Sequence, residues 1–337
     1  MTVVGPFGLS VQDRDLTRDV QAGLDAVEAA LAETVKSDVP FITVTASHLI
    51  EAGGKRFRPL LLLLAAQFGD PGAPGVVPAA VVVELTHLAT LYHDDVMDEA
   101  PVRRGAPSAN SRWDNSVAIL TGDFLFSRAS QVLADLGPEA VRMQAEAFER
   151  LVTGQIMETR GPGPDVDPLL HYLDVLAGKT GSLIAVACRI GAQSAGAEPW
   201  VVDTLGDFGE RIGIAFQLAD DVLDIASDGH ESGKTPGTDL REGVATLPTL
   251  LLQQMPADPA DPEDTRLREL LAGDLSADDA LHAEALRLLR RHPALERARR
   301  ETLRQAEEAR AILATLPDCP AKAALEGLCD SVAIRTM

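Results

Sequence analysis

The sequence predicts an all-α protein, a single-domain helical bundle around a central cavity. Three observations carry this. Apolar residues recur at spacings of three and four in almost every segment between glycine and proline breaks. Hydrophobic residues make up 46% of the chain but aromatics only 4%, and a composition led by Ala, Leu and Val favours helix packing over sheet. No strand-like alternation joined by hairpin turns stands out.

Taken in order, the period places helices over 11–36, 40–52, 59–68, 77–98, 114–135, 138–160, 166–195, 199–226, 245–254, 264–273, 277–291, 295–315 and 319–334. Pro59 suits the first position of the third. Residues 78–93 and 211–225 are apolar on nearly all faces, so both helices are expected in the interior. The Pro/Gly/Asp-rich pieces 69–78, 161–168 and 256–264 are surface loops, none long enough for a domain linker, and residues 1–337 are expected to form one domain.

Two copies of one acidic pattern end the two interior helices. Asp94-Asp95-x-x-Asp98 closes the first, and Asp220-Asp221-x-x-Asp224 lies near the end of the second. Residues four apart share a helix face, so Asp94 with Asp98, and Asp220 with Asp224, present oxygens to one side. Carboxylates at a helix C-terminus oppose its dipole, and in an apolar setting they call for a cation. Mg²⁺ fits: it takes one or two carboxylates and completes its shell with substrate phosphates. Two facing motifs therefore describe a site for a metal-clamped diphosphate. A solvated acidic helix end is the plainer reading of either copy alone.

The net charge of −21 argues against a nucleic-acid partner and requires a local basic cluster for any anionic substrate. Four such clusters are present: Lys55-Arg56-x-Arg58 after Gly53-Gly54, Arg103-Arg104-Gly105, Lys179-Thr180, and Lys234 in Gly233-Lys234-Thr235. A buried Lys179 on an apolar helix would be expensive without an anion, whereas Arg56 is read as solvent-facing and Lys234 fits plain surface charge equally well. Neither Gly-Lys-Thr triplet is a P-loop, because no glycine stands five residues earlier and no strand precedes it. His87 shares a face with Asp94, as a packed core residue or a diphosphate donor. His93 beside Asp94 would suit a metal phosphohydrolase only with more histidine ligands than His48 and His87 supply. His171, His230, His282 and His292 are read as surface residues.

Cys188, Cys319 and Cys329 show no CxxC spacing and read as reduced core thiols of an intracellular protein. The first residues lack a signal-peptide pattern, and the apolar runs 60–66 and 79–83 fall short of the ~20 residues of a membrane span. A cytoplasmic protein with at most transient membrane contact is expected.

Together, Gly53-Gly54-Lys55-x-x-Arg58-Pro59, His93-Asp94-Asp95-x-x-Asp98 with Arg103-Arg104-Gly105, Lys179-Thr180, Phe216-Gln217-x-x-Asp220-Asp221-x-x-Asp224 and Gly233-Lys234-Thr235 resemble the trans-polyprenyl diphosphate synthases, in the family's order over roughly residues 45 to 240. The resemblance implies the isoprenoid synthase type of all-α fold, usually a homodimer, and condensation of an allylic diphosphate with isopentenyl diphosphate. It implies Asp94, Asp98 and Asp220 as Mg²⁺ ligands, aided by Asp95, Asp221 and Asp224. Arg103, Lys179 and Lys234 would hold the allylic diphosphate; Lys55, Arg58, His87 and Arg104 would hold isopentenyl diphosphate; Thr180 and Gln217 would face the reacting carbon. A terpene cyclase would carry a different second metal motif, a head-to-head synthase would lack the Gly-Gly-Lys-x-x-Arg-Pro turn, and a non-catalytic partner subunit would have lost an aspartate cluster. Thr90 and Ala89, about one turn before Asp94, are not the aromatic floor of short-chain relatives. The resemblance thus implies a long all-trans product of roughly seven to ten isoprene units, suited to quinone side chains; Phe148, a larger side chain on the helix 138–160, is the candidate for a deeper stop.

Overall fold

In the computed structural model, which describes residues 2–4, 9–11, 13–227 and 236–334, the apolar period becomes helix almost wherever the sequence carries it. A ribbon of β1 (Thr2–Val4) and β2 (Leu9–Val11) leads into α1 (Arg14–Thr34), α2 (Pro40–Glu51), α3 (Phe57–Ala66) and α4 (Val76–Met97). A second ribbon, β3 (Val102–Arg103) and β4 (Ala106–Pro107), precedes α5 (Ala109–Arg112), α6 (Asn115–Leu136), α7 (Pro138–Arg160) and α8 (Pro168–Leu176). A π-helical turn at Ala177–Gly181 joins α8 to α9 (Ser182–Ser194), followed by α10 (Pro199–Ala226). The chain closes with α11 (Thr238–Arg241), α12 (Leu247–Gln254), α13 (Pro262–Leu271), α14 (Asp279–Arg291), α15 (Pro293–Leu313) and α16 (Pro320–Ile334).

Helix ends follow side-chain chemistry. Asp13 accepts the backbone N–H groups of Asp15 and Leu16, both at 2.9 Å, and so starts α1 later than the apolar period suggests. Asp114, Asp167, Asp261 and Asp278 cap α6, α8, α13 and α14 likewise. The two ribbons correct the expectation of no hairpin. In β3–β4 the two turn residues, Arg104 and Gly105, both have positive φ, at 54° and 75°, the conformation that a tight two-residue hairpin demands.

The chain divides into two compact units interleaved in sequence. The first comprises Met1–Arg150, Ser182–Gly209 and Ile312–Leu328. At its centre α4 packs against α1, α3, α6 and α9, and Val81, Val82, Val83, Leu85 and Leu88 have almost no exposed surface. Tyr92 ties α4 to α2, donating its hydroxyl hydrogen to the Thr45 carbonyl. The second unit comprises Leu151–Gly181, Glu210–Ala311 and Cys329–Met337. Its core joins Leu218, Val222 and Ile225 of α10 to Leu247 and Leu251 of α12, Leu267 of α13 and Leu289 of α14.

Counting apolar runs understates two helices. Val76–Met97 and Pro168–Ser194 are long and apolar enough to cross a membrane, yet 67% and 72% of their apolar windows are buried in the protein, as in core helices. Cys188 and Cys329 are buried and all three cysteines are free. Two histidines read as surface residues are instead structural. His282 is buried against the Gly237 carbonyl at 2.8 Å, and His292 lies 3.2 Å from the buried Asp264. His230 lies outside the described residues.

Close approach of α3 and α9 rests on Gly191, where an added Cβ would stand 2.4 Å from the Leu62 carbonyl oxygen. Backbone cannot yield as a side chain can. Gly191→Ala is therefore expected to destabilise by about 1–3 kcal/mol. Gly206→Ala, where the three nearest atoms all belong to the Arg189 side chain rather than to backbone, is expected to cost less. Urea unfolding of the two variants measures the difference, and equal costs would contradict it.

Candidate functional site

In the first unit the acidic motif ends α4, with Asp98 as its C-cap residue. Asp94 is partly buried, Asp95 fully buried and Asp98 exposed. One Asp95 oxygen accepts from Arg103 Nε at 2.5 Å, whereas the other is buried without a hydrogen-bond partner. Burial raises the Asp95 pKa from its ordinary value, against the pull of Arg103. Arg103 also reaches Asp98 at 3.7 Å. The hairpin thus turns this expected diphosphate ligand onto the acidic motif itself.

The turn before α3 contains Gly53, Gly54 and Arg56, all at positive φ. Arg56 is not solvent-facing: it is 8% exposed. It donates to Glu28 through two nitrogens, to Glu84 at 3.1 Å and to the Ile50 carbonyl at 3.2 Å. An arginine carries a fork of five donors, and here acids and carbonyls consume them. Arg104 donates to the carbonyls of Leu49 and Gly53 and lies 3.8 Å from Glu84, binding the hairpin to the end of α2. Arg58 differs. Its Nε is buried with no partner, and burial, with Arg104 adding repulsion against the opposing pull of Glu84, pushes its pKa down to about 10. His87 is held well below its ordinary pKa by burial and by Arg58, Arg104, Arg103 and Arg56, and so stays neutral. The structure therefore brings Arg58, His87, Arg103 and Arg104 together, while Lys55 is exposed on the adjoining turn.

In the second unit Asp221 is buried, accepting from the Tyr172 hydroxyl and from Gln217 Nε2 at 3.1 Å. Burial, reinforced by Asp239 and Asp220 and opposed by the two hydrogen bonds, pushes its pKa up to about 7. Asp224 accepts the backbone N–H groups of Thr238 and Asp239, both at 3.2 Å, and so holds the chain where α11 begins. Lys234 lies outside the described residues.

Lys179 and Thr180 occupy the π-helical turn, not the continuous helix expected over 166–195. The Lys179 side chain is 33% exposed and pairs with Glu158 at 2.5 Å, so the expectation of a buried, anion-dependent lysine is corrected. Gly154 of α7 permits the turn: an added Cβ would stand 2.7 Å from the Lys179 nitrogen. Such turns inside helices concentrate at functional positions.

Thr90 is partly exposed, but Ala89 is fully buried, its carbonyl oxygen close to Gly122 of α6. His93 packs on that glycine, contacts the Ile119 carbonyl at 3.1 Å and stacks toward Phe126, which meets Phe148 at 4.7 Å between ring centroids. His93 is thus a packing residue. Sequence reading overlooked Glu28, Glu84, Glu158, Tyr172, Gly122 and Gly154. Glu84 alone left a signal, a lone acid in an apolar helix three residues from His87.

Among the described residues no three His, Cys, Asp or Glu side chains form a group able to hold a metal unaided. The orphaned Asp95 oxygen and the all-carboxylate donor set fit a hard cation that keeps water and phosphate ligands.

The chain matches the polyprenyl synthetase family over residues 39–289. It is 49% identical over 324 residues to the nonaprenyl diphosphate synthase of Mycobacterium tuberculosis, covering 96% of this chain and 95% of that one. The crystal structure of geranylgeranyl pyrophosphate synthase from Corynebacterium glutamicum, complexed with calcium and isoprenyl diphosphate, is similar with a TM-score of 0.86 and 45% identity, over 97% of this chain and 99% of that one. A decaprenyl diphosphate synthase from Rhodobacter capsulatus is similar with a TM-score of 0.85 and 36% identity, over 96% and 99%.

The raised Asp221 pKa has a consequence for stability. Between about pH 4 and 7 the folded chain keeps a proton on Asp221 that the unfolded chain has released, so the contribution of Asp221 to metal-free stability falls as pH rises through this window. Asp221→Asn is expected to flatten that decline and to exceed wild type in stability near pH 8. Urea unfolding in chelator across this range measures it; an unchanged slope would contradict the assignment.

Proposed function

This chain belongs to the polyprenyl synthetase family and is an enzyme of the prenyltransferase type, and we propose that it extends an allylic prenyl diphosphate with isopentenyl diphosphate into a long all-trans polyprenyl diphosphate for quinone side chains. The observation that carries the reading is Arg58, a guanidinium whose buried Nε is unspent beside neutral His87, in a chain of net charge −21. Such a group needs an anion.

In this reading Lys55, Arg58, His87 and Arg104 hold isopentenyl diphosphate, Arg58 by direct contact and Arg104 from its anchored place at the end of α2. Arg103, Lys179 and Lys234 hold the allylic diphosphate. Asp94, Asp98 and Asp220 are the proposed ligands of Mg²⁺, with Asp95, Asp221 and Asp224 in support; bound Mg²⁺ would stabilise charge on the departing diphosphate. The allylic C–O bond breaks, and Lys and Arg charge favours the developing anion more than the ground state. Thr180 and Gln217 offer dipoles to the carbocation. The Gln217 amide nitrogen is turned to Asp221, which leaves its oxygen as the end suited to positive charge. The double bond of the second substrate attacks, a carbon–carbon bond forms, and the released diphosphate accepts the proton. We read both compact units as one synthase domain over residues 1–337, acting as a cytoplasmic homodimer with at most transient membrane contact.

The relatives named above range from geranylgeranyl to decaprenyl products. Thr90, small and partly exposed on the Asp94 face, supports the longer end of that range.

Incubating the protein with Mg²⁺, farnesyl diphosphate and labelled isopentenyl diphosphate tests the reading. Elongated diphosphates are expected, and a cyclic hydrocarbon or no turnover would overturn it. Asp94→Ala and Asp220→Ala are expected to lower turnover by roughly 10²–10³-fold or more while circular dichroism stays helical. Thr90→Phe is expected to shorten the product by several isoprene units with turnover retained, read by chromatography of the dephosphorylated chains. Ala89→Phe should instead cost stability, because Ala89 is close-packed against α6.

A further inference from the structure

Four arginines crowd the cationic site of the first unit, yet they are not equivalent. Arg56 and Arg104 are committed to protein acceptors, whereas Arg58 keeps an unpartnered buried nitrogen. One buried acid lies between Arg56 and Arg104. Glu84, 2% exposed, accepts from Arg56 at 3.1 Å and stands 3.8 Å from Arg104. Gly53 and Gly54 fold over these two guanidinium groups: the Gly53 carbonyl accepts from both, and an added Cβ on Gly54 would meet Arg104 at 2.7 Å and Arg56 at 2.9 Å. The turn so shaped carries Lys55 and leads into Arg58.

We propose that Glu84 is a positioning residue for the isopentenyl diphosphate site: through Arg56 and Arg104 it sets the turn 53–56 and thereby the placement of Lys55 and Arg58. The inference rests on the function proposed above. Electrostatics alone points the other way. A buried carboxylate beside a diphosphate site repels the ligand, so its neutralisation should tighten binding. A positioning role demands the opposite sign, because Glu84→Gln would slacken Arg56 and Arg104 and misplace the groups that touch the ligand. Glu28, which grips Arg56 from its other side and is 45% exposed, belongs to the same frame.

The test is steady-state kinetics of wild type, Glu84→Gln and Glu28→Gln with isopentenyl diphosphate varied at saturating allylic substrate, alongside calorimetric binding of inorganic pyrophosphate. Glu84→Gln is expected to raise the KM for isopentenyl diphosphate by about tenfold with kcat within about twofold of wild type, and to weaken pyrophosphate binding in parallel. Glu28→Gln should shift KM in the same direction by less, and Glu84→Asp should recover part of the loss. Unchanged or lowered KM in Glu84→Gln, with wild type elongating normally, overturns the positioning role. Absence of elongation by wild type overturns the proposed function instead. Should Glu84→Gln fail to fold, Glu28→Gln decides: an unchanged KM there refutes the frame, and a raised one supports it.

Discussion

The charge of Glu84 is what the cationic cluster of the first unit depends on. A carboxylate inside an apolar helix is tolerated only when it is paired and hydrogen-bonded, and here Arg56 and Arg104 satisfy it. That pairing joins three separate stretches of chain: α4, the turn before α3 and the β3–β4 hairpin. Arg56, opposed by burial but supported by Glu28 and Glu84, is held firmly charged. With Arg56 and Arg104 held by the frame, Arg58 beside neutral His87 keeps a buried nitrogen without a partner.

The second unit solves a similar problem with hydroxyl and amide donors. Asp221 sits where burial disfavours its charge, and Tyr172 with Gln217 offsets only part of the cost. Asp224 gives both oxygens to backbone N–H groups after the second motif. The three aspartates of one short motif therefore differ in environment: one partly buried, one buried on Tyr172, one holding a loop. The first motif divides likewise among a partly buried Asp94, an Arg-bound Asp95 and an exposed Asp98. Spacing makes the residues of each motif look alike, and their packing separates them.

Glycine does comparable work at the helix contacts. Gly122 admits His93, Gly154 admits the backbone of the π-helical turn, and Gly191 admits α3. Each lets a neighbour approach more closely than a Cβ would allow, and two of the three bear on residues of the acidic or Gly-Lys-Thr motifs. The aromatic series His93, Phe126 and Phe148 follows from the first of these approaches.

The sequence by itself determined the helices, because periodicity and capping are local: Pro138–Arg160 and Pro199–Ala226 match the expected bounds, and most others differ by two or three residues. It also displays the residue types that a metal and a diphosphate would need, since the two DDxxD copies and the basic clusters are short-range patterns. Tertiary structure decided how those charges are spent. Arg56 and Arg58 are two residues apart and look equivalent in sequence, yet one is locked to Glu28 and Glu84, and the other keeps a bare buried nitrogen. The partners lie 28 residues away in each direction, beyond the reach of any local pattern. The π-helical turn at Lys179 and the hairpin at Arg104 were hidden for the same reason, because each depends on a close approach or a carbonyl supplied by a distant segment. Burial and pairing are properties of the packed chain, and they set the cost of every charge the sequence contains.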